Sequence, residues 1–339
     1  MDFRKSSIEN LRSLGYTQDE ARFLYLVAMH SGYFSARQYL TFTGAKSGER
    51  SLAFTQKVLG KGHATARMLL RNGRVYHLFS RLVYRAMGRE HLRNRREHSV
   101  EHMRTKLAIL DFVLGHLDYR YLETEDDKVA YFCRDLGIAR FVLPAKHYAG
   151  AIPERTTARH FVDKFPMFFS PESSSPRVVT FSFVDSGSSS IANLGVHLAA
   201  YQGLFRHLSA FRFVYVAPRT AAFRRAEERF RSIVKEPLET DVSTDILRYF
   251  AIRRKWERHE YVVPITEELE FLSDARRRFH EQHFEDLYRS WISGGVAEHA
   301  LRAELAQVTP GKKVSFETYL IRNRQTPVDE KHKRHVSDA

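Results

Sequence analysis

Residues 34–88 read FSARQYLTFTGAKSGERSLAFTQKVLGKGHATARMLLRNGRVYHLFSRLVYRAMG, and this stretch decides the fold of the N-terminal half of the chain. Residues 34–43 predict one helix, with Ser35 able to cap its start and Gly44 suited to the left-handed stop at its end. Residues 47–59 predict a second helix, because apolar side chains recur at helical spacing among polar ones. Two helices joined by so short a turn are typical of a helix-turn-helix.

A β-hairpin is predicted directly after the two helices. Asn72-Gly73 lies between the short apolar runs 66–70 and 75–79, and this dipeptide favours a type I′ turn because both central positions need a positive φ. An arginine stands on each side of the dipeptide. A helix-turn-helix followed by a basic hairpin predicts an N-terminal winged helix, which reads DNA with its second helix in the major groove and its hairpin on the backbone or minor groove.

The residues that this interpretation assigns to DNA contact lie on the second helix, on the hairpin and in an arginine-rich segment that follows. They are Arg50, Ser51, Gln56 and Lys57 on the helix, Arg67, Arg71 and Arg74 on the hairpin, and Arg93, Arg95 and Arg96 in the segment. The last three are expected to contact phosphates and add salt-dependent affinity. The alternative is a small helical lobe whose arginines only form a solvated face.

Charge and composition favour the same class of partner. The chain has 54 Lys and Arg against 40 Asp and Glu, a net charge of +14, which favours a polyanion such as nucleic acid. The sequence contains no run of about 18 apolar residues, so it predicts no membrane-spanning helix. The N-terminus lacks the apolar core of a secretory signal, and the single cysteine, Cys133, has no partner for an internal disulfide. We therefore expect a cytoplasmic, nucleoid-associated protein that does not enter membranes.

Helices are also predicted on both sides of the winged helix. Residues 17–31 predict the supporting helix, opened by a capping box from Thr17 to Glu20. Residues 99–117 predict one long amphipathic helix, a candidate dimer seam or interdomain strut.

Two histidines near the start of this long helix raise the question of a metal site. His98-Ser-Val-Glu-His102 matches the zinc pattern HxxEH, but the sequence shows neither a further ligand nor a protease scaffold. A basic or interfacial helix face is the preferred interpretation, and no metal is predicted.

The second half of the chain changes character. Short strands are predicted at 129–133 and 139–143, and a loose domain boundary is predicted between residues 117 and 135. Further on, a strand at 178–184, a helix at 191–208 and a strand at 211–217 predict a parallel pair with a crossover helix. This half is therefore expected to be an α/β domain.

Three short motifs along these elements resemble, in type and order, the motifs of a known protein family. Asp163 lies within residues 161–169, which predict a strand pair or a strand and turn. Residues 183–187 read FVDSG at the end of the strand at 178–184, and residues 197–201 read HLAAY on the helix that follows. This order resembles the bacterial replication-relaxation family, in which a winged helix precedes a domain similar to the PD-(D/E)xK restriction-endonuclease fold. The likeness covers residues 17–234. It implies that Asp163 stands for the first-motif aspartate, FVDSG for an ELDRG-like turn and HLAAY for a K-L-x-x-Y pattern.

Departures from these motifs bear on the chemistry. Val162 replaces the proline, Phe183 stands where the glutamate belongs, and His197 stands where the lysine belongs. A nuclease of this fold needs two or more acidic groups to hold Mg²⁺ and a lysine near the attacking water. We therefore expect a nuclease-like fold without nuclease activity or a cofactor. The alternative is a Mg²⁺-dependent DNA nuclease that uses Asp163 and Asp185.

Three parts are expected along the chain. Residues 1–117 form the winged helix with its long following helix, 118–308 form the α/β nuclease-like domain with helices at its C-terminal end (241–257 and 266–291), and 309–339 form a basic, disordered tail. The fold class is thus a multidomain α+β and α/β protein.

The function expected from these features is sequence-specific or structure-specific binding of double-stranded DNA. The resemblance implies replication, maintenance or transcriptional control of a bacterial mobile element or plasmid. The second domain would serve homodimerisation or docking of a protein partner. A non-catalytic adaptor whose positive charge meets an acidic protein is the further alternative.

Overall fold

The computed structural model describes residues 3–46, 48–70, 73–149, 156–162, 165–171, 178–187, 190–260, 266–308 and 313–321. They form a mixed α/β structure. The helices are α1 (Lys5–Ser13), α2 (Gln18–Leu26), α3 (Ala36–Thr43), α4 (Gly48–Gly60), α5 (Arg81–Ala86), α6 (Val100–Leu114), α7 (Glu125–Ala130), α8 (Ile191–Arg206), α9 (Phe223–Phe230), α10 (Glu236–Glu257), α11 (Thr266–Arg278), α12 (Gln282–Ile292) and α13 (Glu298–Val308).

The strands belong to three sheets. They are β1 (Tyr33–Ser35), β2 (Ala64–Leu70), β3 (Gly73–Leu78), β4 (Arg120–Tyr121), β5 (Ala145–Ala149), β6 (Thr156–His160), β7 (Met167–Phe169), β8 (Val179–Val184), β9 (Ala210–Ala217) and β10 (Lys313–Leu320). The first sheet has the order β1-β3-β2, the second β10-β9-β8-β7-β4, and the third pairs β5 with β6.

The first sheet closes the N-terminal unit. Strands β2 and β3 pair antiparallel, as the predicted hairpin requires, and β1 pairs antiparallel with β3. Residues 71 and 72 of the predicted turn lie outside the described residues. The helix predicted over residues 34–43 begins only at residue 36, because residues 34 and 35 belong to β1 and Ser35 caps α3.

Local capping chemistry sets the helix ends in this unit. Thr17 and Glu20 form the predicted capping box at the start of α2, and Ser35 forms another with Gln38. Helix α3 ends at Gly44, whose φ of 65° is the left-handed conformation that the sequence predicted there.

Phe23 of α2 lies at the centre of the N-terminal core. Its ring packs edge to face against Phe34 of β1, Tyr39 of α3 and Phe54 of α4, with ring centroids 5.6, 5.1 and 5.7 Å away. One side chain therefore contacts a strand and both helices of the predicted helix-turn-helix. All four residues are almost completely buried.

The five-stranded sheet organises the second unit. Strands β8, β9 and β10 run parallel, whereas β7 pairs antiparallel with β8 and β4 with β7. The predicted parallel pair with a crossover helix is confirmed, since α8 links β8 to β9. One face of the sheet packs on α6, where Phe112 meets Phe168, and the other on α8, where Phe205 meets Phe181.

Three expectations about this unit are wrong. Residues 125–135 form α7 and a π-helical turn instead of a strand at 129–133, because Thr124 and Asp127 make a capping box that starts a helix. Residues 140–142 form a 3₁₀ turn instead of a strand. Residues 313–320, assigned to a disordered tail, form β10 and pair with β9 along its full length.

A helical insertion lies between β9 and β10. Helices α10 to α13 pack around a separate apolar core that includes Phe250, Leu272 and Tyr288. The single helix predicted at 266–291 is two helices, because the chain leaves the helical path at residues 279–281. None of the helices in the described ranges has both the length and the apolar character needed to cross a membrane.

Candidate functional site

Helix α4 is held against α2 by two ion pairs that use predicted contact residues. Arg50 Nη2 lies 2.9 Å from Asp19 Oδ2 in an exposed pair. Lys57 Nζ lies 2.8 and 2.7 Å from the two carboxylate oxygens of Glu20, whose side chain is buried. The charges of both cations are therefore partly neutralised within the protein.

Ser51 does not face solvent as a contact residue would. Its side chain is buried and its hydroxyl donates a 2.8 Å hydrogen bond to the Gly48 carbonyl. The buried side of α4 runs through Ser51, Phe54 and Val58, whereas Leu52 on the other side is 57% exposed. We withdraw Ser51 from the set of contact residues.

The outward face of α4 is nearly neutral. Glu49, Leu52, Ala53 and Gln56 are exposed and follow one another at helical spacing. A glutamine amide can bind adenine in the major groove, and small apolar side chains can contact the thymine methyl group. A face of this kind can contact base edges but offers little attraction for phosphate.

The hairpin carries cationic side chains of its own. Arg74 on β3 is exposed and lies opposite Met68 on β2, whose side chain is 70% exposed. Arg67 on β2 forms an ion pair with Glu97, so part of its charge is neutralised. Arg71, the remaining predicted contact on the hairpin, lies outside the described residues.

The arginine-rich segment 93–96 is fixed in place by Asn94. The buried amide of Asn94 donates to the carbonyls of Ala28 and Met29 at 2.9 and 3.0 Å, and its oxygen accepts a 3.0 Å hydrogen bond from Lys106 on α6. Gly32 allows Asn94 to approach this closely, because a Cβ at residue 32 would lie 2.1 Å from the backbone carbonyl oxygen of Asn94. The segment thus joins the end of the α2 region to α6.

The three arginines around Asn94 have different surroundings. Arg96 is exposed. Arg95 is half-buried, and its Nε has no hydrogen-bond partner among the described residues. The guanidinium of Arg93 lies over the ring of Tyr148 on β5, 5.4 Å from the ring centroid. Arg96 is therefore the most accessible of the three.

Several of the positions that carry the family resemblance line one cavity. A cavity of about 360 Å³ lies between α6 and α8, and its lining includes Val162, Phe183 and His197. Asp163 lies outside the described residues. Phe183 is buried, with its ring centroid 4.8 Å from that of Phe165 and 5.4 Å from that of His197. An aromatic side chain here offers no oxygen ligand for a hard cation.

Asp185 follows β8 and is buried. Its Oδ2 accepts a 2.7 Å hydrogen bond from the Tyr215 hydroxyl, and its Oδ1 accepts one of 2.7 Å from the backbone N–H of Gly187. Its own backbone N–H donates to the Val216 carbonyl, which extends the pairing of β8 with β9. Burial, and then the hydrogen bond to Asp185, raise the pKa of Tyr215 above its usual value.

His98 and His102 stack with ring centroids 4.7 Å apart. Burial, and then the neighbouring His102, lower the pKa of His98 to about 4. Among the described residues, no group of three or more His, Cys, Asp or Glu side chains is arranged to hold a metal ion.

A buried polar cluster joins the α2 region to the segment before α7, and it was not predicted from the sequence. His30 is buried, with its Nε2 3.9 Å from Glu123 Oε1, while Tyr25 donates a 2.6 Å hydrogen bond to the other oxygen of Glu123. His30 and Glu123 line a cavity of about 280 Å³. Burial, and then the charges of Lys106 and Lys128, lower the pKa of His30 to about 3. No local motif links residues so far apart in sequence.

Comparisons with known proteins add no relative. No protein-family model matches the chain, and no curated protein or solved structure matches it.

Proposed function

We propose that this protein binds double-stranded DNA through an N-terminal winged helix. The observation that carries the proposal is the order α2, β1, α3, α4, β2, β3 together with the antiparallel pairing β1-β3-β2. In a winged helix of this order, α4 would enter the major groove and the β2-β3 hairpin would lie beside it on the backbone or minor groove.

Base contact is assigned to the outward face of α4. Gln56 is the residue suited to adenine, and Ala53 and Leu52 are suited to thymine methyl groups. Arg50 and Lys57 remain near this face, but their ion pairs with α2 limit what they add to phosphate attraction. Specificity would therefore come chiefly from neutral contacts.

Phosphate contact is assigned to the hairpin and the segment that follows it. Arg74 and Arg96 are exposed, and neither forms an ion pair with a described residue. Arg67, Arg71, Arg93 and Arg95 complete the proposed set. Such contacts release counterions, so affinity should fall steeply with salt.

The second domain is proposed to be a PD-(D/E)xK-like scaffold without nuclease activity. Phe183 occupies the position of an expected carboxylate, and both oxygens of Asp185 accept hydrogen bonds from the protein itself. With the resemblance to the replication-relaxation family, this supports a role in replication, maintenance or transcription of a bacterial mobile element. The scaffold would dimerise or dock a protein partner.

The test is fluorescence anisotropy of a labelled mixed-sequence duplex across a salt series. Arg74→Ala/Arg96→Ala should weaken binding and reduce the log–log salt slope by about 0.9 for each phosphate that the protein no longer neutralises. Arg224→Ala/Arg225→Ala removes the same charge from the exposed side of α9 and is the matched control. Equal slopes for the two double variants would contradict the assignment of phosphate contacts.

Two further assays of the wild-type protein distinguish this proposal from the nuclease and from the protein adaptor. Supercoiled plasmid incubated with Mg²⁺ should stay intact; cleavage that disappears in Asp163→Ala and Asp185→Ala would instead establish a nuclease. No duplex binding at low salt would favour the protein adaptor, whose docking surface would include the exposed Leu52 and Met68.

A further inference from the structure

Strands β5 and β6 form a ribbon that stands apart from both larger sheets. They pair antiparallel with each other over five positions and with no other described strand. Side chains 145–148 on one strand and 157–159 on the other are exposed. A two-stranded ribbon of this width can enter a DNA groove.

The ribbon places two cations directly opposite each other. Lys146 pairs in register with Arg159, and Tyr148 with Thr157, so these four side chains share one face. Like charges at directly opposed positions destabilise a strand pair. Arg159 is partly neutralised by Glu125 at 3.5 Å in a surface pair, while Lys146 forms no ion pair within the described ranges. An external anion would relieve this repulsion.

The same face is joined to the arginine-rich segment. The guanidinium of Arg93 lies over the ring of Tyr148, so a third cation lies against the face that carries Lys146 and Arg159. Arg96 is exposed close to Arg93 in the same segment. The ribbon thus continues the basic surface that begins at the β2-β3 hairpin.

We infer that the β5-β6 ribbon is a second nucleic-acid contact, with Lys146 and Arg159 binding phosphates of DNA that flanks the site of the winged helix. The inference rests on the proposed DNA binding and adds a longer footprint to it. The contact is to the phosphate backbone and so carries no sequence preference of its own.

Charge reversal at one position separates folding from binding. Lys146→Glu places a carboxylate opposite Arg159, so the variant should melt at the same temperature as the wild type or higher. It should nevertheless bind DNA more weakly, because the new carboxylate repels phosphate. Arg225→Glu on α9 makes the same change from a cation to a carboxylate at an exposed site and is the matched control.

Binding is measured on two duplexes, one of about 12 base pairs, roughly one helical turn, and one of about 36 base pairs. On the long duplex Lys146→Glu should bind about tenfold more weakly than Arg225→Glu, with a smaller salt slope. On the short duplex the two variants should bind alike.

Each other outcome has a distinct meaning. Equal affinities of Lys146→Glu and Arg225→Glu on the long duplex, with Arg74→Ala/Arg96→Ala still weakened on both, would overturn the ribbon contact and leave the winged helix in place. A wild-type protein that binds neither duplex would overturn both proposals.

Discussion

The hydroxyl of Tyr215 on β9 donates a 2.7 Å hydrogen bond to the Asp185 carboxylate at the end of β8. The other oxygen of Asp185 accepts from the Gly187 backbone, where the chain turns towards α8 with a φ of 88° at the glycine. Asp185 therefore ties two parallel strands to the start of the crossover. This is a structural role for the residue that the nuclease alternative would use as a metal ligand.

Removing the Tyr215 hydroxyl should destabilise the fold. Tyr215→Phe leaves a buried carboxylate oxygen with one hydrogen bond fewer, and we expect the free energy of unfolding to fall by about 1–3 kcal/mol. Urea unfolding measures this change in the free energy of unfolding. Tyr131→Phe is the control, since the Tyr131 hydroxyl makes no hydrogen bond with the described residues. Equal losses of stability in the two variants would show that the hydrogen bond to Asp185 contributes nothing of its own.

A second relationship joins the helix-turn-helix to the long helix. Arg37 Nη2 on α3 contacts both oxygens of Asp111 on α6, at 2.7 and 2.8 Å, and the Asp111 side chain is 14% exposed. Asp111→Ala should cost about 3 kcal/mol, because it leaves the guanidinium without its partner in a partly buried site. A double-mutant cycle with Arg37→Ala should give a coupling energy of about 1–3 kcal/mol.

The exposed pair of the same residue types provides the comparison. Arg50 and Asp19 join α4 to α2 at 2.9 Å, with side chains 51% and 44% exposed. Their coupling energy should stay below about 1 kcal/mol, since solvent screens them. Equal coupling energies in the two cycles would show that burial does not set the strength of these pairs.

We expect the buried His30 to make the stability of the fold depend on pH. Its folded pKa of about 3 lies below the ordinary value of 6.5, so the unfolded chain takes up a proton more readily than the folded one. The contribution is complete above about pH 6.5 and is lost as pH falls towards 3, with a slope of at most about 1.4 kcal/mol per pH unit.

Comparison with His30→Gln isolates this effect. The raised pKa of Glu123 acts in the opposite direction at low pH, but it contributes to both proteins. Urea unfolding at several pH values between 7 and 4 should therefore show a steeper decline for the wild type than for His30→Gln. His91→Gln, at an imidazole that is 90% exposed, is the control. Parallel curves for the wild type and His30→Gln would contradict the assignment.

The correct predictions came from local chemistry. The capping box of Thr17 and Glu20, the left-handed Gly44 and the strands around residues 73 and 180 are each specified by neighbouring residues. Strand β10 was missed because its pairing with β9 joins segments about a hundred residues apart, across a helical insertion. The strand predicted at 129–133 is wrong because the threonine and aspartate of the acidic stretch before it start a helix.

In the candidate site, too, features set by neighbouring residues were predicted and features set by distant contacts were not. Sequence spacing placed α4 correctly, but its rotation depends on how Phe54 meets Phe23 in the core, and this contact buries Ser51 and exposes Leu52. The ion pairs that hold Arg50 and Lys57 require α2 to lie beside α4, which spacing alone does not specify. Charge counts therefore overstated the cationic character of this helix.

Gln56 and Lys57 are neighbours on α4, but substitutions of the two should affect different properties: Lys57→Ala mainly stability and Gln56→Ala mainly DNA binding. Lys57→Ala removes the partner of the buried Glu20, so we expect a loss of about 1–3 kcal/mol in stability. Gln56→Ala changes an exposed side chain, so its effect on stability should stay within about 0.5 kcal/mol.

In DNA binding, the larger direct effect should belong to Gln56. Duplexes selected from a random library with the wild-type protein should bind Gln56→Ala about 5- to 150-fold more weakly, which corresponds to the loss of one good base contact. Lys57→Ala, assayed at a temperature where it is folded, should keep its preference for the selected duplexes over random ones. If Gln56→Ala also kept that preference, α4 would not be the helix that reads the bases, and the wing and the arginine-rich segment would account for binding without sequence recognition.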